Sequence, residues 1–456
     1  MLGEPITQPD ESPAQMRSAA LGTTELDPTA PGAESPAEKS GERKASRGGF
    51  FAPVRLASFR RLIAGQTISR LGDQFYFLAI PWLVLRITPS PAQLALVLGA
   101  ASAALGVFTL AGGVLADRLG PRKLMMTADL ARLVVVAALA ALALWVTVPP
   151  LWSIIALSAL VGVLSGLFYP ASGAMIPHLV PERDLQAANS YEQLTMQSSN
   201  FVGPAIAGAV LSATRLAFGF VIDAASFAVS VLTLAFVRMP PRSVETTRAA
   251  KPEGGMASLG TALRFLLRTR LLLIFLVVSL LANFAVNGLF EVALPLLLKA
   301  RVGLALGPQA QGIVIGGFGL GAVLGALAAG VMSHIGRKPL VGTLLFIPFA
   351  VLVAVIPLMS GVWAMAAVFA VMGLFNAAGN VLIITVMQRF VPLDMMGRMS
   401  SFIMLGTVVG TPLSIFVYGA AAAVVPDVGW LFFGGALLMG LALLAATTNK
   451  VIWQAE

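Results

Sequence analysis

The chain has 456 residues, of which 57% are hydrophobic and only 11% are charged, and its mean hydropathy is +0.87. Soluble domains carry roughly 25% charged residues, so most of this surface faces something other than water. There is no cysteine, and His178 and His334 are the only histidines, which excludes disulfides and disfavours a thiolate- or imidazole-based metal or catalytic site. The formal net charge of +9 fits basic loops beside a membrane better than nucleic-acid binding.

The first 55 residues are rich in Pro, Glu, Ser, Ala and Gly and contain few large apolar side chains. Such a composition cannot bury a core, so residues 1–55 are predicted to be a disordered tail. The tail lacks an apolar central run, so we do not interpret it as a signal peptide.

Twelve apolar runs follow, which we number span one to span twelve. Each is longer than the roughly 20 residues needed to cross the hydrocarbon of a bilayer. Because backbone polar groups in lipid must be satisfied within their own segment, each is predicted to be a helix. The predicted spans are 62–86, 92–116, 123–146, 151–173, 190–213, 217–237, 271–297, 308–333, 340–360, 362–387, 401–425 and 428–448.

The longest internal polar segment, 238–270, divides the spans into two groups of six, 56–237 and 271–448, and leaves a short tail at 449–456. Its last part, 259–270, could form an amphipathic helix on the membrane surface. Arginine and lysine concentrate in this segment and in the loops after spans two, four, eight and ten. Positive loops face the cytoplasm, so both termini are predicted to be cytoplasmic in a multi-pass cell-membrane protein.

Three features recur at nearly one spacing, which indicates that the two halves are duplicates. A Val-Pro loop follows span four at Val180 and span ten at Val391 (391 − 180 = 211). A proline interrupts span five at Pro204 and span eleven at Pro412 (412 − 204 = 208). The loop from Gly113 to Lys123 after span two matches that from Gly330 to Lys338 after span eight (330 − 113 = 217). Transporters built from duplicated bundles place a binding site between the halves.

The loop after span two resembles the signature of the major facilitator superfamily, with Gly113, Asp117, Arg118, Gly120, Arg122 and Lys123 at its positions. Gly203, Pro204 and Gly208 in span five partly resemble the Gly-Pro motif of its antiporters. Segments beginning at Ser69, Asp129 and Val180 resemble the macrolide and multidrug efflux branch. This resemblance implies twelve helices in two six-helix bundles and export of a hydrophobic compound in exchange for protons. Span four lacks the arginine that many drug–proton antiporters carry.

Charged residues inside the spans are the first candidates for function, because burying them in hydrocarbon is costly. Arg70 and Asp73 share a face of span one at i,i+3, and are interpreted either as a structural pair or as a coupling and substrate site. Asp129 and Arg132 are also at i,i+3 and are interpreted chiefly as a structural pair near a gate. Glu192 lies at the end of span five and is grouped with this pair.

Asp223 in span six and Glu291 in span seven have no cation within helical reach. Unpaired carboxyl groups in a medium of low dielectric constant are candidate proton carriers; a hydrogen bond to a neighbouring helix is the structural alternative.

Asn283, Asn287 and Glu291 are spaced four apart and are predicted to face one water-filled cavity. Asn376 and Asn380 repeat this spacing in span ten, either lining the cavity or packing helices. The glycines of span eight are predicted to let helices pack closely; they are Gly312, Gly316, Gly317, Gly321 and Gly325.

The loop after span two has its own physical interpretation. Asp117 could accept hydrogen bonds from the amino-terminal end of span eleven, where helices stabilise anions. Arg118 and Arg122 would add ion pairs between the halves. Such a latch would hold the cytoplasmic side closed.

Three functions are weighed. The first is a proton-coupled exporter of amphiphilic or hydrophobic small molecules. The second is an importer, uniporter or lipid-type transporter with the same fold. The third, a membrane-embedded enzyme, is disfavoured because no nucleophile–base arrangement or phosphate loop is visible. A transporter of this kind is expected to need no cofactor and to work as a monomer in the lipid bilayer, with a small molecule and protons as its partners.

Overall fold

A computed structural model describes residues 50–239, 269–331, 338–391 and 393–449. Residues 1–49 of the predicted tail, most of the central segment and most of the second copy of the loop motif, including His334, lie outside these ranges. The prediction of disorder is wrong for the end of the tail, because Ala52–Arg55 is helical and the ring of Phe50 stacks on Tyr191. Side chains are also not described at 271, 331, 338, 387–390 and 392–405.

The first half contains six long helices, all within a few residues of their predicted positions. A short helix, Ala52–Arg55, and the short 3-10 turn Glu182–Asp184 precede spans one and five. Spans one to six are Ala57–Ile87, Pro91–Leu119, Pro121–Trp145, Leu151–Leu179, Leu185–Ala213 and Ala217–Ala235.

The second half is also helical, but its helices are interrupted. Span seven is Arg270–Gly288 followed by a π-helical segment, Leu289–Ala293, and continues into Leu294–Val331. A loop was predicted between spans seven and eight. In the structure the helix Leu294–Val331 is interrupted there only at Gly303, whose φ of 76° favours glycine. Span nine combines Lys338–Leu344, Phe346–Val355 and a 3-10 turn at Ile356–Leu358; spans ten to twelve are Val362–Phe390, Leu393–Ala422 and Gly429–Thr447.

Helix bounds repeat between the halves at nearly constant offsets. Spans four and ten both have 29 residues and are offset by 211 at both ends (362 − 151 and 390 − 179). Spans six and twelve both have 19 residues and are offset by 212 at both ends (429 − 217 and 447 − 235). The duplication suggested by three short motifs therefore extends to whole elements.

By length and composition, eight helices of the described ranges are apolar enough to cross a membrane, and one of them, Leu272–Gly330, covers spans seven and eight. Span eleven contributes a shorter apolar stretch, Gly406–Ala422. Spans one and five are long enough but fall outside this set, because polar side chains lower their hydropathy. The fold is thus an all-α membrane fold of about twelve spans in two six-helix bundles.

Glycines permit the closest helix contacts, as predicted for span eight. A Cβ on Gly321 would lie 1.7 Å from the carbonyl oxygen of Ala370 in span ten. On a different face, a Cβ on Gly312 would lie 2.5 Å from the carbonyl oxygen of Pro204 in span five. Span eight therefore packs within its own half through one glycine row and against the other half through another.

The halves meet most closely at the end of the bundle where span one ends. Trp82 Nε1 donates a hydrogen bond of 2.6 Å to Gln311 Oε1, and Lys299 Nζ donates one of 3.1 Å to the Leu85 carbonyl. Both hydrogen bonds join the first half to the second. This end is therefore closed, and we call it the Trp82 gate.

Candidate functional site

Arg132 is the centre of a buried charged cluster in the first half. Its guanidinium donates to Asp129, whose other carboxylate oxygen accepts a 2.6 Å hydrogen bond from Ser230. The guanidinium lies between two aromatic rings, 4.1 Å from the centroid of Phe168 and 4.5 Å from that of Phe227. Arg132 is 1% exposed, so its charge is offset by an ion pair and two cation–π contacts.

Asp73 connects this cluster to open space. Its Oδ1 lies 4.0 Å from Arg132 Nη1, and its side chain, 15% exposed, lines a cavity. Asp223 is buried nearby, with Oδ1 lacking a hydrogen-bond partner among the described residues. Two carboxyl groups, those of Asp73 and Asp129, therefore share one guanidinium, and a third, that of Asp223, is buried beside them.

Arg70 pairs differently from the sequence expectation. It donates to Glu192 in span five and, at 3.0 Å, to Gln66 Oε1, so the structure couples it to a neighbouring helix rather than to Asp73. Gln66 in turn donates to Ser172 in span four at 2.7 Å. Helical spacing predicted that Arg70 and Asp73 share one face of span one. In the structure, however, Arg70 pairs with Glu192 and Asp73 lies near Arg132.

A central cavity with two lobes lies between the halves. One lobe, of about 270 Å³, is bordered by spans one, two, four, seven and eleven; the other, of about 410 Å³, by spans one, five, seven, eight and ten. Phe77 and Glu291 line both lobes. Asp73 and Glu291, from opposite halves, border the same lobe, as do Tyr76 and Tyr169.

The predicted single stripe of Asn283, Asn287 and Glu291 is wrong in one respect. Glu291 borders the central cavity, Asn283 borders a different cavity inside the second half, and Asn287 donates a 3.1 Å hydrogen bond to Thr411 in span eleven. The π-helical segment at Leu289–Ala293 contains Glu291. This segment begins after Asn287, and its wider turn changes the angular position of Glu291 relative to Asn283 and Asn287.

Asn376 and Asn380 do share a face, as their spacing predicted. Asn380 Nδ2 donates to the carbonyl oxygen and to Oδ1 of Asn376, at 2.9 and 3.1 Å. Both line the same cavity as Asn283, not the central cavity.

The loop motif is built as a helix end. Gly120 has a φ of 85° and ends span two, while Asp117, Arg118 and Lys123 are exposed and Gly113 has open space around its Cα. Arg122 donates to the carbonyls of Leu234 and Ala235 at the end of span six, at 2.9 and 2.7 Å. The predicted Arg122 pair between the halves is thus replaced by a cation at a helix carboxyl end of its own half. The latch of Asp117 on span eleven stays a prediction, because its partner lies outside the described side chains.

The Gly-Pro motif lies where span five crosses two helices. A Cβ on Gly203 would lie 2.3 Å from Gln74 Cγ in span one, and a Cβ on Gly208 would lie 2.9 Å from Gly312 Cα in span eight. Pro204 borders the larger lobe of the central cavity. The motif therefore allows close approach of the halves beside the cavity.

Sequence reasoning missed several polar residues of the central cavity and its gate. Gln74, Asn200 and Gln311 line the larger lobe, and Thr411 the smaller one. Asn200 follows Gln197, Ser198 and Ser199, and Gln74 follows Asp73, so a cluster of polar residues in spans one and five was the signal that could have identified them.

Two helical bundles related by duplication, with a cavity and facing carboxyl groups between them, define a membrane transporter. Residues 48–455 match the family described as transmembrane secretion effector, MFS_3. Because this match covers most of the chain, the chain belongs to that family of the major facilitator superfamily.

Known proteins agree with this assignment. The chain is 31% identical over 216 residues to the uncharacterized MFS-type transporter YfiS of Bacillus subtilis, covering 46% of this chain and 50% of YfiS. It is 25% identical to the enterobactin exporter EntS of Salmonella typhimurium, over 85% of this chain and 91% of EntS. It is 29% identical to macrolide efflux protein A of Streptococcus pyogenes, over 40% of this chain and 45% of that protein. The match to the first of these relatives thus spans half of that protein's length.

Solved structures show the same fold. The crystal structure of the nucleoside transporter NupG superposes with a TM-score of 0.66 at 14% identity, covering 88% of this chain and 100% of that chain. This likeness shows the fold, and the family match over residues 48–455 shows that the chain is a multi-pass membrane transporter.

Proposed function

We propose that this transporter exports amphiphilic or hydrophobic small molecules in exchange for protons. The observation that carries the proposal is the position of Asp73, which borders the central cavity and lies 4.0 Å from the buried guanidinium of Arg132. A proton that binds at Asp73 changes both the charge of the cavity wall and the charge of the cluster behind it.

Charge balance explains why the cluster suits a proton carrier. Asp73 and Asp129 share the Arg132 guanidinium and Asp223 is buried nearby, so the charges of the three carboxyl groups are balanced only when protons are bound. Uncompensated charge in hydrocarbon is costly. A cluster that alternates between two charge states therefore gives two states of the protein different energies, which coupling to a gradient requires.

The cavity lining supports a substrate with a large apolar part. Phe77, Tyr76 and Ile80 of span one line the smaller lobe together with Leu105, Ile415 and several serine and threonine side chains. Mostly apolar walls with a few polar groups bind varied amphiphilic molecules. The similarity to an enterobactin exporter and to a macrolide efflux protein favours export as the direction.

Glu291 has a different role in this proposal. Among the described residues it forms no ion pair, and it borders both lobes. A carboxylate in that position attracts cationic substrates. We therefore assign proton transfer to Asp73 and selection of cations to Glu291, with Asp223 as a second proton-binding group.

The test is proton movement in vesicles that contain the purified full chain and a pH-sensitive dye at an acidic interior pH. Erythromycin and rhodamine 6G are added outside, and Asp73→Asn and Glu291→Gln are compared with wild type. Wild type moves protons when either compound is added; Asp73→Asn stays at the level of protein-free vesicles. Glu291→Gln loses part of the response to both compounds, because rhodamine 6G is a cation and the tertiary amine of erythromycin is mostly protonated near neutral pH.

Glu182→Gln is the matched control, because Glu182 is an exposed carboxyl group in the loop before span five; it should behave as wild type. Compound flux without any proton movement would contradict the proposal and indicate a uniporter or lipid-type carrier. Accumulation of compound on the side that has the lower proton concentration would reverse the exchange to symport.

A further inference from the structure

A second cavity, of about 240 Å³, lies inside the second half between spans seven, nine, ten and twelve. None of its lining residues borders either lobe of the central cavity. Its walls carry the amides of Asn283, Asn376 and Asn380 and the rings of Phe346 and Phe349. We call it the amide pocket.

The duplication of the chain shows why this volume is open. The first half fills the equivalent position with the guanidinium of Arg132, between the rings of Phe168 and Phe227. Phe346 follows Arg132 at an offset of 214 (346 − 132), and Met439 follows Phe227 at 212 (439 − 227). Both offsets lie within the range of the repeat, so the second half lacks the charged group that occupies the first.

Several polar atoms of the amide pocket are left without partners. Asn380 Nδ2 donates to Asn376, and Asn283 Nδ2 donates to the Ser279 carbonyl at 2.8 Å. Within the described residues, Asn376 Nδ2 and the Oδ1 atoms of Asn283 and Asn380 form no hydrogen bond. The pocket therefore offers the Asn376 amide and the Ser279 hydroxyl as donors and two amide oxygens as acceptors, and none of its described lining residues is charged.

We propose that the amide pocket binds an uncharged aromatic molecule that carries an amide or hydroxyl group, independently of the central cavity. A charged guest would lack a counterion, and a purely apolar guest would leave the three amides unsatisfied. An engineered cavity of roughly 150 Å³ in another protein holds benzene. A volume of about 240 Å³ suits an aromatic ring with a short polar substituent.

The absence of cysteine from the chain permits a clean test. The single-cysteine variant Ser279→Cys places a thiol in the amide pocket, and Ser102→Cys places one in the central cavity. The full chain is reconstituted in lipid nanodiscs, and the rate of alkylation by N-methylmaleimide is measured with four probes: benzamide, benzyl alcohol, toluene and protonated benzamidine.

Benzamide and benzyl alcohol should slow alkylation in Ser279→Cys and leave Ser102→Cys unchanged, whereas toluene and benzamidine should protect neither. Adding Asn380→Ala to Ser279→Cys should raise the protecting concentration of benzamide about fivefold, as expected for one lost hydrogen bond. Equal protection by toluene would show a dry apolar cavity and overturn the proposal, as would stronger protection by benzamidine or equal protection in both variants.

A thiol-free measurement covers the case in which Ser279→Cys does not react. Benzamide should raise the unfolding temperature of the wild-type chain, because a ligand that binds only the folded state stabilises it. Asn376→Leu removes the free amide donor and should make that rise smaller while the protein remains folded. No rise in wild type, or the same rise in both proteins, would refute binding at these amides.

Discussion

At the scale of single residues, Arg132 has the most demanding environment of the described chain. It is 1% exposed, pairs with Asp129 and Asp73, and is enclosed by two rings. Arg132→Met removes the cation and leaves two carboxylates without a counterion. We expect it to destabilise the protein by roughly 3–5 kcal/mol, measured as a lower unfolding temperature from tryptophan fluorescence.

Arg132→Lys tests whether charge alone is sufficient. A lysine keeps the charge but cannot stack flat between Phe168 and Phe227, so it should recover only part of the loss. Arg215→Met is the control, because Arg215 is exposed in the loop before span six, and an exposed substitution of this kind changes stability by about 0.5 kcal/mol or less. Equal effects of Arg132→Met and Arg215→Met would show that the cluster adds no stability.

At the scale of helices, the glycine row of span eight sets the distance to span ten. A Cβ at Gly321 would lie 1.7 Å from a backbone oxygen, which cannot move without the whole helix. Gly321→Ala should therefore destabilise the protein by about 1–3 kcal/mol, despite alanine's better helix propensity. The measurement is the unfolding temperature of Gly321→Ala compared with that of the wild-type chain.

Gly434→Ala supplies the contrast, because nothing lies within 4 Å of a Cβ at Gly434 in span twelve. There alanine should leave stability unchanged or raise it by up to about 1 kcal/mol. If Gly321→Ala were as stable as Gly434→Ala, spans eight and ten would have to separate without energetic cost.

Helix positions could be predicted from the sequence, because a long apolar run in a membrane has one permitted backbone structure. Contacts between helices could not. Local spacing put Arg70 with Asp73, whereas the structure pairs Arg70 with Glu192, a residue 122 positions away. Likewise, no local sequence pattern predicted the π-helical segment that contains Glu291. As a result, the different locations of Glu291 at the central cavity and Asn283 at the amide pocket could not be predicted.

At the scale of the whole molecule, two similar bundles have acquired different interiors. The first is filled by a charged cluster that reaches the central cavity through Asp73, and the second contains an uncharged pocket in the equivalent place. Ion coupling in our proposal therefore belongs to the first half. The second half contributes Glu291 to the cavity and half of the gate.

The Trp82 gate gives a prediction about the movement of the halves. A Cβ on Gly307 would lie 1.9 Å from the ring of Trp82, which also donates to Gln311. Gly307→Val should therefore displace the indole, weaken the closed end and shift the population toward a state open there. If the termini are cytoplasmic, as the loop charges predict, that end faces the outside of the cell.

Accessibility of the central cavity measures this shift. In intact cells that carry Ser102→Cys, a membrane-impermeant maleimide should react slowly in the otherwise wild-type chain and several-fold faster when Gly307→Val is added. Gly361→Val is the control, because a Cβ there meets nothing within 4 Å, and it should leave the rate unchanged. An unchanged rate in Gly307→Val would mean that the Trp82 contact does not hold the gate. A slower rate would mean that valine tightens it, because the added methyl groups would then pack against the indole instead of expelling it.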